Sequence, residues 1–330
     1  MNQSVLVLVG VVAAASSMVV AIPVSVLGQS VVPVTKETRT DWTPPRTPWG
    51  DPDLQGAYTN SDESLTPFER PDKLAGRRLG DFTEAELIAL RKERSDERVE
   101  ADRQRWELRS PLHWFENHDP KNSRAWLVVD PSDGKVPAQV PEAKLRVAAR
   151  DAARRGRGPA DSYEDRSLYD RCISRGLPGS MMPAIYGNAY QIVQGPGYVA
   201  IIYEMVHETR IVPLDARPPL GSAIRQYMGG ARGRWEGATL VVETTNFTDK
   251  TPFRGSSEHL RIVERFTAVA PDIVEWTVTF DDPHTWTRSW TFAMNLTRKD
   301  DSQQPFEYAC HEGNLGLEFI LRAARAEEGR

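Results

Sequence analysis

The chain has 330 residues, 40% of them hydrophobic and 26% charged, which excludes an intrinsically disordered or polytopic membrane protein and leaves room for one large core or two modest ones. A formal net charge of -5 offers no long-range attraction for nucleic acid, whose binding proteins carry a basic domain or stripe.

In chain order, residues 5–28 hold no charge and are mostly Val, Ala, Leu and Ile. They read as the apolar core of a signal peptide, 1–28, which makes the chain exported, periplasmic or extracellular. The preceding MNQS lacks the usual Lys or Arg, and the run is long enough to span a bilayer as an uncleaved anchor, the one route to a membrane partner. No Cys follows to carry a lipid, and no twin arginine precedes.

Residues 29–80 form a Pro-rich extended segment: DWTPPRTPWGDPD favours polyproline-like backbone that drapes over a body, with Trp42 and Trp49 as its anchors. LQGAYTN, 54–60, supplies a first short strand. Residues 81–170 are mainly helical. Thr83 and Glu86 make a capping box that opens a helix reaching about Leu108, its second half solvated. SPLHWFENHDP brings His113 and His118, AWLVVDPSDGKVP reads as a hairpin turning at 132–134, and Pro141 starts a second, Arg-rich helix. The acidic DSYEDRSLYD that follows can neutralise that helix.

From 171 to 330 strands dominate. After a Gly and Pro loop containing Cys172 come YQIVQ and YVAIIYEM around Gly195-Pro196-Gly197, then TRIVPLD, the irregular ARPPLGSAIRQYMGGARG, and two strands meeting at Glu236-Gly237. The clearest stretch, 260–296, reads as three antiparallel strands. One face of each is apolar: Leu260, Ile262, Phe266; Val274, Trp276, Val278, Phe280; Trp286, Trp290, Phe292, Met294, Leu296. FEYAC closes a series of about nine strands. Sequential hairpins without intervening helices imply a mainly β (α+β) fold, an antiparallel up-and-down barrel or half-barrel. A C-terminal helix would lay Leu317, Ile320, Leu321 and Ala324 against it.

The succession YDRCISRGLPG, YQIVQGPGYVAIIYEM, GRWEGATLVVETTNFTDKT, ERF, DDPHTWTRSWT and YACHEGN resembles an uncharacterised family of exported proteins of environmental bacteria, over nearly all the mature chain. In strand rhythm, and in LQGAYTN near the start, the β half is similar to lipocalin-like (calycin) barrels, with Tyr58 where lipocalins place a Trp. That likeness implies a ligand cavity inside a closed sheet.

Cys172 and Cys310 are the two cysteines. In an oxidising compartment they suggest one disulfide, worth about 4 to 5 kcal/mol in the chain-entropy model; two inert thiols or one reactive cysteine remain the other readings. The six histidines form neither HExxH nor HxH, and the pair His207-Glu208 splits to opposite faces on a strand, so neither metal nor cofactor is implied. No Gly-x-Ser-x-Gly elbow or phosphate-cradling Gly fingerprint occurs.

Two charges interrupt the apolar faces of the triplet: Glu264, and Arg288 between Trp286 and Trp290. Buried charges need partners, so the two are expected to meet each other or a ligand. The candidate ligand-binding set is Arg288, Trp286, Trp290, Trp276, Glu204 and His207, with Glu264 as orienting partner or general base. Three functions stay open: a binding protein for a small, partly apolar, acidic or aromatic molecule; an acid/base enzyme, such as an isomerase, hydratase or hydrolase, using Glu264 and a histidine; and an envelope interaction protein using the Pro-rich arm and helices.

Overall fold

The computed structural model describes residues 42–105, 123–184, 187–215, 217–300 and 305–329. The expected signal peptide, 1–28, and His113 and His118 lie outside the described residues. Ten strands follow in order: β1 (Gly56–Thr59), β2 (Val128–Asp130), β3 (Ala189–Gly195), β4 (Tyr198–Tyr203), β5 (Thr209–Pro213), β6 (Gly230–Glu236), β7 (Thr239–Thr245), β8 (Arg261–Ala270), β9 (Ile273–Asp281) and β10 (Trp290–Arg298). The helices are α1 (Glu84–Arg105), α2 (Pro141–Ala153) and α3 (Leu315–Glu327). Thr83 and Glu86 cap α1 as their spacing requires: the Thr83 N–H donates to Glu86 Oε2 at 2.8 Å, and the Glu86 N–H to Thr83 Oγ1 at 3.3 Å.

The sheet runs β5-β4-β3-β1-β10-β9-β8-β7-β6, every pair antiparallel, with β2 added beside β10. Nine strands therefore curl into a nearly closed barrel whose two edges, β5 and β6, approach each other without joining the ladder. Their direction explains the opening. Stepping around an antiparallel order reverses the chain at each strand, so the two ends of a nine-strand path point the same way. Parallel neighbours cannot be joined by a hairpin and need a long crossover. Residues 214–229 supply it. Across this seam, an added Cβ at Gly233 would stand 2.7 Å from the side chains of both Val212 and Leu214.

Alternation holds along β8, β9 and β10. Trp276, Phe280, Trp290 and Phe292 point inward and are fully buried. They pack as rings: Phe280 stacks on Trp290 at 4.2 Å between centroids, and Trp276 meets Phe292 edge-on at 5.4 Å. Side chains thus fill this half of the barrel, where the lipocalin likeness implied a cavity.

Several sequence expectations change. The third strand of the triplet begins at Trp290, not Trp286, because Asp282 gathers the preceding loop: its carboxylate accepts from the Ser257 N–H and hydroxyl and from the Thr285 hydroxyl at 2.6–2.9 Å. The hairpin read at 132–134 does not form; β2 pairs with β10 instead, Phe292 opposite Val128. FEYAC is not a strand, and Phe306 is 85% exposed. Trp49 is 37% exposed, whereas Leu54 is fully buried. The helix α3 has no fully buried residue. Its named contacts reach the 160–170 segment: Arg325 donates to the carbonyls of Ala160 and Asp161, and Asn314 to that of Asp170.

Cys172 and Cys310 are bonded, with Cα atoms 5.6 Å apart. The bond ties the loop before β3 to the turn before α3.

The outer face of β9 and β10 is covered by the chain between β1 and α2, through buried charges. Glu63 accepts from the Thr66 hydroxyl and from the N–H groups of Arg124 and Asn295 at 2.8–3.1 Å. Arg124, 6% exposed, pairs with Glu275 and reaches Glu63 at 3.8 Å. Burial pushes the Glu63 carboxyl pKa up, against the pull of Arg124 and these donors. Removing the one cation shared by two carboxylates should be costly. Arg124→Met is expected to lose about 3–5 kcal/mol in urea unfolding; a loss below about 1 kcal/mol, the range of surface pairs, would mean that the network is solvated.

Candidate functional site

In TRIVPL the period of two puts Arg210, Val212 and Leu214 on one face and Thr209 and Ile211 on the other. The first face points inward: Arg210 is 5% exposed and Val212 fully buried, while Ile211 is 54% exposed. A guanidinium therefore enters the barrel from its edge strand. On β8, Glu264 lies in register between Val242 and Val278 and is fully buried.

These two charges meet. Arg210 Nη2 lies 2.7 Å from Glu264 Oε2, and Trp276 Nε1 donates to Oε1 at 3.1 Å. Burial alone would lower the Arg210 pKa; the Glu264 charge and the Tyr203 oxygen outweigh it and hold the guanidinium protonated. The contact is ionic, at an angle outside hydrogen-bond geometry. Arg210 Nε and Nη1 have no hydrogen-bond partner, and neither do the buried Tyr203 hydroxyl and Thr244 Oγ1. A buried donor without an acceptor costs roughly 1–3 kcal/mol, more for a charged one. Arg124 Nε and Nη1 are in the same condition, and each such group calls for a partner, a water, an ion or a ligand.

Arg210 is also part of an open cleft of about 890 Å³ over the seam between β5 and β6. Ile211, Pro213, Leu220 and Met228 give it apolar walls. Its charges nearly balance: Arg225, Arg232 and Lys250 stand against Glu208, Asp249 and Glu258. Several are already engaged. Arg225 pairs with Glu258 at 3.3 Å, and Glu208 accepts from the Ser174 hydroxyl at 3.1 Å. Arg210 is the one nearly buried cation among them.

The structure separates the residues that the sequence grouped. Glu264, Trp276 and Trp290 are interior, as expected. Arg288 is not: its side chain is 55% exposed in the loop before β10, and Nη2 donates to Asp130 at 3.0 Å. The expected Glu264–Arg288 pairing is thus replaced by Glu264–Arg210. Trp286 is buried in the same loop, edge-on to Trp290 at 5.3 Å, as packing at the barrel end. Glu204 follows β4, whose inward residues are Val199, Ile201 and Tyr203, and accepts from the Ala189 N–H at 3.0 Å. The His207 backbone lies in the turn Met205–His207, and its side chain is outside the described residues. Arg210 was missed because Ile211 beside it made both faces of its strand look apolar.

Among the described residues, no group of three or more His, Cys, Asp and Glu side chains could hold a metal ion, and no helix is long and apolar enough to cross a membrane. No family model, curated protein or solved structure matches the chain.

Three tyrosines report how dry the interior is. Burial pushes the Tyr58 phenol up to about 12, opposed by Arg298, and raises Tyr190 and Tyr203 further, opposed by Arg175 and Arg210 respectively. A folded pKa above the unfolded value of roughly 10 means that stability falls as pH climbs from that value through the folded one. In an absorbance titration at about pH 11, these three should remain protonated in the folded chain and ionise in urea. Ordinary titration of all tyrosines in the folded chain would indicate a water-filled barrel.

Proposed function

We propose that the protein is an exported binding protein for a small monocarboxylate with an apolar or aromatic body. The ligand enters the seam cleft between β5 and β6 and gives its carboxylate to Arg210. The observation that carries this reading is Arg210 itself: a residue of the cleft lining whose guanidinium is buried beside Glu264, with two nitrogens that no acceptor meets. A planar guanidinium fork suits a carboxylate bidentately. The cleft's own acids, Glu208, Asp249 and Glu258, disfavour more highly charged anions. Ile211, Leu220 and Met228 suit an apolar body. The disulfide accords with an oxidising compartment, and a nearly closed barrel with a binding role.

Binding is favoured over acid/base catalysis by the engagement of Glu264. Its oxygens face Arg210 and Trp276. His259 and His284 meet at a tilt, with 4.6 Å between ring centres, near Glu258 and Glu142.

A thermal-shift screen of aromatic and fatty monocarboxylates tests this. Ligand at a hundredfold over Kd should raise Tm by roughly 5 °C. Arg210→Met alone leaves Glu264 buried and unpaired and would lose stability for that reason. The double change Arg210→Met/Glu264→Gln removes both charges and should stay folded. The expected result is a shift in wild type and none in the folded double variant; shifts of equal size in both would sink the proposal.

A further inference from the structure

A second cleft, of about 940 Å³, has a different electrostatic character. Five cations border it, Arg154, Arg166, Arg171, Arg175 and Lys250, against a single acid, Glu164. Arg166 pairs with Asp170 at 3.0 Å. Among the described residues, no carboxylate forms an ion pair with the other four.

Two of these arginines carry buried nitrogens without hydrogen-bond partners, Arg166 Nε and Arg175 Nη1. Two are oriented by aromatic rings: the Arg171 guanidinium carbon lies 5.0 Å from the Tyr163 ring centre, and that of Arg175 lies 5.4 Å from Tyr169. The segment that bears them is fixed on both sides. Cys172 is bonded to Cys310, Ser174 donates to Glu208, and the Met181 carbonyl accepts from Asn60 at 2.6 Å. Guanidinium groups held this way pay little ordering entropy when an anion arrives. Leu177, Met182 and Phe253 supply an apolar wall beside them.

We propose that this cleft, which shares Lys250 with the seam cleft, is a second binding site, for a phosphate monoester with an apolar body held by Arg171, Arg175 and Lys250. The excess of positive charge suits a dianion, where the balanced seam cleft suits a monoanion. Three acceptor oxygens match several forked donors converging from different residues. The same chemistry is offered by a soluble aryl phosphate and by the headgroup of a phosphatidic acid.

Calorimetric titration with phenyl phosphate, and co-sedimentation with vesicles containing phosphatidic acid, distinguish these sources. Binding in either arm supports the site if it weakens about tenfold or more in Arg175→Gln. Arg175 is partly buried, so Arg171→Gln serves as the companion change and should also weaken binding while leaving Tm close to wild type. Benzoate should bind at least tenfold more weakly than phenyl phosphate, and added salt should weaken both. The folded Arg210→Met/Glu264→Gln chain should bind phenyl phosphate as wild type does. The proposal is overturned if neither phenyl phosphate nor the vesicles bind, if both arginine variants bind as tightly as wild type, or if the seam variant abolishes binding.

Discussion

An antiparallel cylinder closes on itself only with an even number of strands, and this barrel has nine on its path. The odd count leaves β5 and β6 parallel and unpaired, makes a long crossover of residues 214–229 unavoidable, and sets an open cleft over the join. Close approach there depends on Gly233, whose missing side chain leaves room for Val212 and Leu214. With no ladder across the join, the attachment is made by side chains. Arg210 leaves β5, crosses the interior and meets Glu264 on β8. The opening, its filling and the buried charge pair thus follow from one topological fact.

Two buried ionic groups divide the work of specifying this fold. Glu63, Arg124 and Glu275 lie on the outer face of β9 and β10 and fix the covering segment in register, with Glu63 accepting from the Asn295 N–H of β10. Arg210 and Glu264 lie inside, beside a packed aromatic half that includes Phe280, Trp290 and Phe292. Each network leaves guanidinium nitrogens without hydrogen-bond partners, Arg124 Nε and Nη1 outside and Arg210 Nε and Nη1 inside. Arg210, unlike Arg124, belongs to the lining of an open cleft. That position is why the seam, and not the outer network, is assigned to a ligand.

Much of the wall was legible because its signals are local. The period of two in 260–280 depends on residues that touch through adjacent strands, and the cap at Thr83 and Glu86 spans three residues. The disulfide was one of three readings of the two thiols, and the structure shows it formed. The functional centre was harder to see because its partners are distant in sequence. In TWTRSW the alternation continues into a loop, and what ends the strand there is Asp282 binding Ser257, a contact no window around Arg288 reveals. Glu264 was visible as a charge on an apolar face. Its partner was not, since Arg210 sits beside Ile211, an exposed apolar residue that hides which face of β5 is inward. The replacement of a 132–134 hairpin by β2 pairing with β10 has the same origin: an apolar run specifies a strand without naming its neighbour.

The central claim is that the Arg210 guanidinium receives the ligand's carboxylate at the seam. Its Nε–H resonance can be followed by heteronuclear NMR and assigned by its loss in Arg210→Met. On saturation with the monocarboxylate that stabilises the chain most, the account expects that resonance to shift and its exchange with water to slow, as an unpartnered donor gains an acceptor. An Arg210 resonance that stays in place while the ligand is bound would contradict the account.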